Sequence, residues 1–237
     1  MALPRLNDVP DYELTVPSTG QSVSFRPFLV KEQKVLLIAY ESRDVKQIVK
    51  AVLNTIQSCV KNVDVGKLAT FDVDYIFTQI RSKSVGESND VIMKCKNCEH
   101  ENQITIDLNE IKIEVEKRDM SIQLNDQYTL KMKYPTYNDI INDKVLLNEK
   151  RTQTDQLIAT LRNCMDSVQS DDENIVLKDE TVEEIDDFIS SLNDEQYGKI
   201  TDFVTKIPTM TYVKKFNCKS CEKENELKVE GLQDFFS

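Results

Sequence analysis

The sequence predicts an α+β fold in which one module is written twice, and three observations predict it. The first is an octet: CKNCEHEN at 95–102 returns as CKSCEKEN at 218–225 with two changes. The second is a helical stripe. With Cys59 in IVKAVLNTIQSCVKNV laid over Cys164 in DQLIATLRNCMDSV, Val52 meets Leu157, Leu53 meets Ile158, Ile56 meets Leu161, Val60 meets Met165 and Val63 meets Val168. That spacing is the buried face of an amphipathic helix. The third is a pair of alternating stretches, YELTVPSTGQSVSFRPF at 12–28 and SIQLNDQYTLKMKYP at 121–135, each turning back around a polar tip as a β-hairpin does.

Taken in chain order, residues 1–11 read as an extended arm, because ALPRLNDVP is punctuated by proline and has no helical period. Residues 12–117 are the first repeat: the hairpin, a helix in KEQKVLLIAYES, the stripe helix, a helix in DVDYIFTQIRSKS and a cysteine knuckle at 95–98. Residues 118–237 are the second. Its hairpin leads into a helix in TYNDIINDKVLLNEK and then the stripe helix. A helix in TVEEIDDFISSL follows, where Thr181 and Glu184 stand at capping-box spacing. An extra helix near 193–207 puts Tyr197, Ile200, Phe203, Val204 and Ile207 on one face and stops at Pro208; the second knuckle follows at 218–221. Cys59 and Cys164 fall inside their stripes and read as small buried hydrophobes.

The chemistry sits in Cys95, Cys98, Cys218 and Cys221. Two cysteines separated by two residues can turn both thiolates towards one tetrahedral ion, and two such pairs complete a closed four-sulfur shell of the structural zinc type. The flanks alternate, VIMK and ITIDL around the first pair and YVKKF and LKVEGL around the second, which places each knuckle at the tip of a β-hairpin. A zinc ribbon keeps its two pairs about 15 to 20 residues apart, whereas here residues 99–217 lie between them. One zinc per chain, shared by both knuckles, joins the two halves; alternatively each knuckle meets a partner from another copy or another protein. A thiol-disulfide redox role is the competing chemistry, although a redox CxxC usually opens a helix after a strand. His100, the only histidine, gives way to Lys223 in the second octet and is expected to be exposed rather than a ligand.

Composition narrows the function. With 30 Lys and Arg against 41 Asp and Glu, the net charge is −11, a surface that repels phosphate backbones and argues against nucleic-acid binding. No apolar run reaches the length of a membrane span or of a signal-peptide core. A protein of the reducing cytoplasm is therefore expected, with thiols and metal rather than disulfides. One histidine and five glycines leave no nucleophile elbow, no phosphate-cradling loop and no HExxH helix. Asp171 with Asp172 and Asp186 with Asp187 read as solvated pairs, not catalytic ones. The closing GLQDFF carries two phenylalanines nearly to the terminus, to pack on the second knuckle or to dock on a partner.

The opening ALPRLNDVPDYELTVPSTGQSVSFRPFLVKEQKVLLIAYES and the close EQYGKITDFVTKIPTMTYVKKFNCKSCEKENELKVEGLQDFF resemble the baseplate central-hub and hub-assembly proteins of T-even-like contractile-tailed bacteriophages. The PSTG, FRPFLVKE and CxxC-to-DFF segments are the most specific parts. The resemblance implies a non-enzymatic tail-morphogenesis protein, made in the host cytoplasm and needed to build the baseplate hub. It enters the finished tail as a subunit or acts as a transient assembly chaperone. It carries the zinc ligands onto Cys95, Cys98, Cys218 and Cys221. Taken with the apolar residues at the two ends, it points to other hub proteins or the tape-measure protein as partners, with Leu3, Leu6, Phe235 and Phe236 as the expected contact residues.

Overall fold

A computed structural model describes residues 9–111, 113–148 and 151–231. Strands β1 (Tyr12–Thr15) and β2 (Ser22–Phe25) pair antiparallel. Their turn closes through Gly20 N–H on the Val16 carbonyl at 2.8 Å, with Gly20 at φ 70°, which glycine adopts without penalty. Alternation sends Leu14, Val23 and Phe25 inward.

Three helices follow, α1 (Val30–Ser42), α2 (Val45–Cys59) and α3 (Thr70–Val85). The stretch FRPFLVKE is the joint between hairpin and α1. Arg26 donates to the carbonyls of Pro27 at 2.9 Å and Ser58 at 3.0 Å and to the Glu32 carboxylate at 2.9 Å, while Glu32 accepts from the Leu29 N–H at 2.8 Å. One buried carboxylate thus satisfies both the arginine and an N-terminal donor of α1. Asp44 caps α2 by accepting from Gln47 N–H, and the stripe buries Val52, Ile56 and Cys59. Helix α2 ends at Cys59. Val60 turns extended and bridges Phe25, and the Cys59 carbonyl accepts from Arg26 N–H at 3.0 Å. Helix α3 is the most enclosed, with Phe71, Val73, Ile76, Phe77 and Ile80 all buried. At its start the buried Asp72 accepts from the backbone N–H and hydroxyl of Ser18, which ties the β1–β2 turn to the helix.

The first cysteine hairpin is β3 (Ser88–Lys94) with β4 (Glu101–Asp107). The chain then builds an antiparallel meander, β5 (Ser121–Gln123), β6 (Thr129–Met132), β7 (Met165–Gln169) and β8 (Asn174–Val176), paired in that order. Helices α4 (Tyr137–Asn142) and α5 (Gln153–Cys164) lie between β6 and β7, and α6 (Val182–Ser191) and α7 (Asp194–Thr205) follow β8. The second cysteine hairpin, β9 (Thr211–Asn217) with β10 (Glu224–Glu230), comes last.

Three expectations need correction here. The first stripe helix does not carry Val60 and Val63: α2 stops at Cys59, because Val60 is extended and bridges Phe25. The second stripe helix does not run to Val168: α5 stops at Cys164, because Met165 and Val168 pair with Met132 and Leu130 in the sheet and the Cys164 carbonyl accepts from Lys133 N–H at 2.8 Å. The helix expected over TYNDIINDKVLLNEK ends at Asn142, where the Asp143 carboxylate accepts from the N–H groups of Val145 and Leu146 and turns the chain. The extra helix is α7, and Thr181 with Glu184 forms the expected capping box of α6.

Compactness divides the chain elsewhere than between the two repeats. One unit takes residues up to 115 together with those from 208 onward; the other is 116–207. The second unit packs Leu130, Met132, Leu161, Cys164, Met165 and Ile200 into its own core. In the first, both cysteine hairpins share a core of Ile104, Ile106, Leu108, Ile111, Met210, Tyr212, Leu227 and Val229. No helix among the described residues is long and apolar enough to cross a membrane.

Candidate metal centre

Each cysteine pair sits in a tight turn that the two hairpins repeat. In the first, Cys95 N–H donates to the His100 carbonyl at 2.9 Å and Glu99 N–H to the Cys95 carbonyl at 2.9 Å; in the second, Cys218 N–H donates to Lys223 at 3.0 Å and Glu222 N–H to Cys218 at 2.9 Å. Glu99 and Glu222 both stand at φ 58°, the left-handed conformation that closes such a turn. Asn97 N–H and Ser220 N–H then reach back to the sulfurs of Cys95 and Cys218, each at 3.4 Å.

The four sulfurs come together. All four Sγ atoms lie within 4.8 Å of one another. Two approaches run between the hairpins, Cys95 to Cys221 and Cys98 to Cys218, both at 3.7 Å. In a tetrahedral zinc–thiolate site with zinc–sulfur bonds of about 2.3 Å, the sulfurs stand about 3.8 Å apart. The cluster therefore has the spacing of a closed tetrathiolate shell, and all six cysteines are free of disulfides.

Electrostatics point the same way. The Asn97 N–H bond leads the effects that bring the Cys95 thiol down to about 6, and the Cys221 N–H bond leads those that lower Cys218. At Cys98 the His100 N–H also lowers the thiol, but the sulfurs of Cys221, Cys218 and Cys95, together with burial, outweigh it and push Cys98 up to about 12. Four sulfurs this close repel as thiolates, and a divalent cation among them reverses the sign of that interaction.

Two asparagines complete the site, and sequence reasoning passed over both. Asn102, at the start of β4, donates to Cys218 Sγ at 3.6 Å and accepts from Lys219 N–H at 2.9 Å. Asn225, at the same place in β10, donates to Cys95 Sγ at 3.4 Å and accepts from Lys96 N–H at 3.1 Å. Each hairpin thus clasps the other's knuckle. The available signal was the last letter of the repeated octet: Asn102, Ile104 and Ile106 alternate inward along β4 as Asn225, Leu227 and Val229 do along β10, and a buried asparagine on an apolar strand face needs partners.

His100 is exposed and outside the sulfur cluster. Cys59 and Cys164 are buried in the helical stripes, where burial pushes their thiols up to about 11 and about 12. Leu3, Leu6, Phe235 and Phe236 lie outside the described residues.

The family model for the T4 bacteriophage base plate protein matches residues 9–237, which takes in both hairpins and everything between them. The chain belongs to the T4 bacteriophage base plate protein family. The match runs through the FRPFLVKE joint, the four cysteines and both clasping asparagines of this base plate protein, so the site lies within what the family model describes. No curated protein and no solved structure matches the chain significantly.

Proposed function

We propose that this base plate protein is a non-enzymatic subunit of the baseplate central hub, a zinc-stabilised adaptor used in hub assembly with other hub proteins and the tape-measure protein as partners. The observation that carries the reading is the gathering of four cysteine sulfurs from two hairpins on either side of residues 116–207. A bound zinc supplies charge neutralisation and four sulfur bonds. Cys95, Cys98, Cys218 and Cys221 would hold it, and Asn102 and Asn225 orient the two buried sulfurs.

The same contacts favour a duplicated module. The Cys59 carbonyl accepts from Arg26 as the Cys164 carbonyl does from Lys133, and Asn102 and Asn225 make equivalent bonds to the opposite knuckles. A redox role fits the site less well, since both CxxC pairs lie in strand-to-strand turns instead of at a helix start.

Quantitative mass spectrometry of purified phage particles tests the hub assignment. A few copies per particle, comparable with other hub components, is the expected result. Absence from particles that nonetheless require the gene for tail formation assigns the protein to transient assembly instead.

A further inference from the structure

Helix α1 is apolar on both sides. Its inner face buries Leu36 and Ala39, yet Val30, Leu37 and Ile38 on the outer face are 78%, 56% and 57% exposed. Val45, the first residue of α2, is also exposed. Large apolar side chains exposed together on one face mark an interaction site.

The order of side chains says what kind. The residues 30, 34, 37, 38 and 41 recur at the spacing that places them on one side of a helix. They read Val30, Lys34, Leu37, Ile38 and Glu41. Running α1 backwards about the midpoint between Leu37 and Ile38 puts Lys34 opposite Glu41 and Leu37 opposite Ile38. Apolar falls on apolar and cation on anion. A surface that complements its own reverse suits an isologous twofold contact, in which one patch meets a second copy of itself. Lys34 and Glu41 enter none of the ion pairs found among the described residues, which leaves both charges available to such a contact.

We propose that α1 joins two copies of this chain antiparallel, with the leucines and isoleucines at 37 and 38 gathered around the twofold axis and Lys34 of each copy facing Glu41 of the other. The contact is independent of the metal site.

Sedimentation velocity of the full chain tests it. The expected species has twice the 27.3 kDa chain mass across micromolar concentrations. Leu37→Glu should give a monomer that still unfolds cooperatively, with a melting temperature no longer dependent on protein concentration, because the side chain it replaces faces solvent within one chain. Lys34→Glu should weaken the dimer about ten-fold by setting like charges face to face. Combining Lys34→Glu with Glu41→Lys should restore it. A wild-type monomer, a dimer that survives Leu37→Glu, or a charge-reversed pair that stays apart would each overturn the proposal; a wild-type monomer would assign the face to a different tail protein.

Discussion

Asn102 and Asn225 are the residues on which the proposed metal site turns, because each satisfies a buried sulfur and a backbone N–H of the opposite knuckle at once. Groups that orient metal ligands typically govern affinity by 10- to 100-fold. Replacing both by alanine should therefore weaken zinc binding by about that factor in a chelator competition, while His100→Ala should leave it unchanged. Glu32 gives a second prediction, in pH. Burial opposes its charge, but the Arg26 hydrogen bond, the Leu29 N–H and the neighbouring cations together hold its carboxyl below the ordinary 4.5. A carboxyl lowered in the folded state contributes stability above the unfolded value and loses it as pH falls through the folded one. Glu32→Gln should cost about 2 kcal/mol at neutral pH, the scale of a hydrogen bond to a charged group. That deficit should shrink below pH 4.5, as read from thermal melts across pH.

Among the elements, α6 offers the cleanest test of a local signal. Thr181 accepts from Glu184 N–H while the Glu184 carboxylate accepts from Thr181 N–H at 2.9 Å. Thr181→Ala should cost about 1 kcal/mol in denaturant unfolding. Such short-range patterns were legible in sequence: the period of two around each CxxC gave both hairpins, and the stripe through Cys59 gave α2. The same stripe misled beyond both cysteines: Val60 leaves the helix to bridge Phe25, and a helix and a strand were both compatible with Met165 and Val168. Only pairing with Met132 and Leu130 decides for the strand. The joint FRPFLVKE stood out as specific without a reason; the reason is the three-way contact of Arg26 with residues 27, 32 and 58, and a partner that far along the chain leaves no local pattern.

At the scale of the molecule, sequence order and compactness part company. The octets are far apart in the chain yet belong to one unit, while residues 116–207 form a contiguous stretch with a core of their own. A fragment spanning 116–207 should fold alone and melt cooperatively. Zinc removal from the full chain by a chelator should unfold the two cysteine hairpins and leave the protection of amides in 116–207 unchanged, as hydrogen exchange can report. The four candidate ligands could be picked out of CKNCEHEN and CKSCEKEN because CxxC spacing is itself the metal signal. Their meeting at one point depends on the shared hairpin core of Ile106, Leu108, Met210 and Val229, which no spacing rule contains.

Native mass spectrometry of the purified chain addresses the shared site directly. One zinc per chain, lost when Cys218 and Cys221 are both replaced by serine, is the result expected from four sulfurs within 4.8 Å. A folded protein that carries no zinc with its thiols reduced, or two ions per chain, would contradict a single ion held by both hairpins.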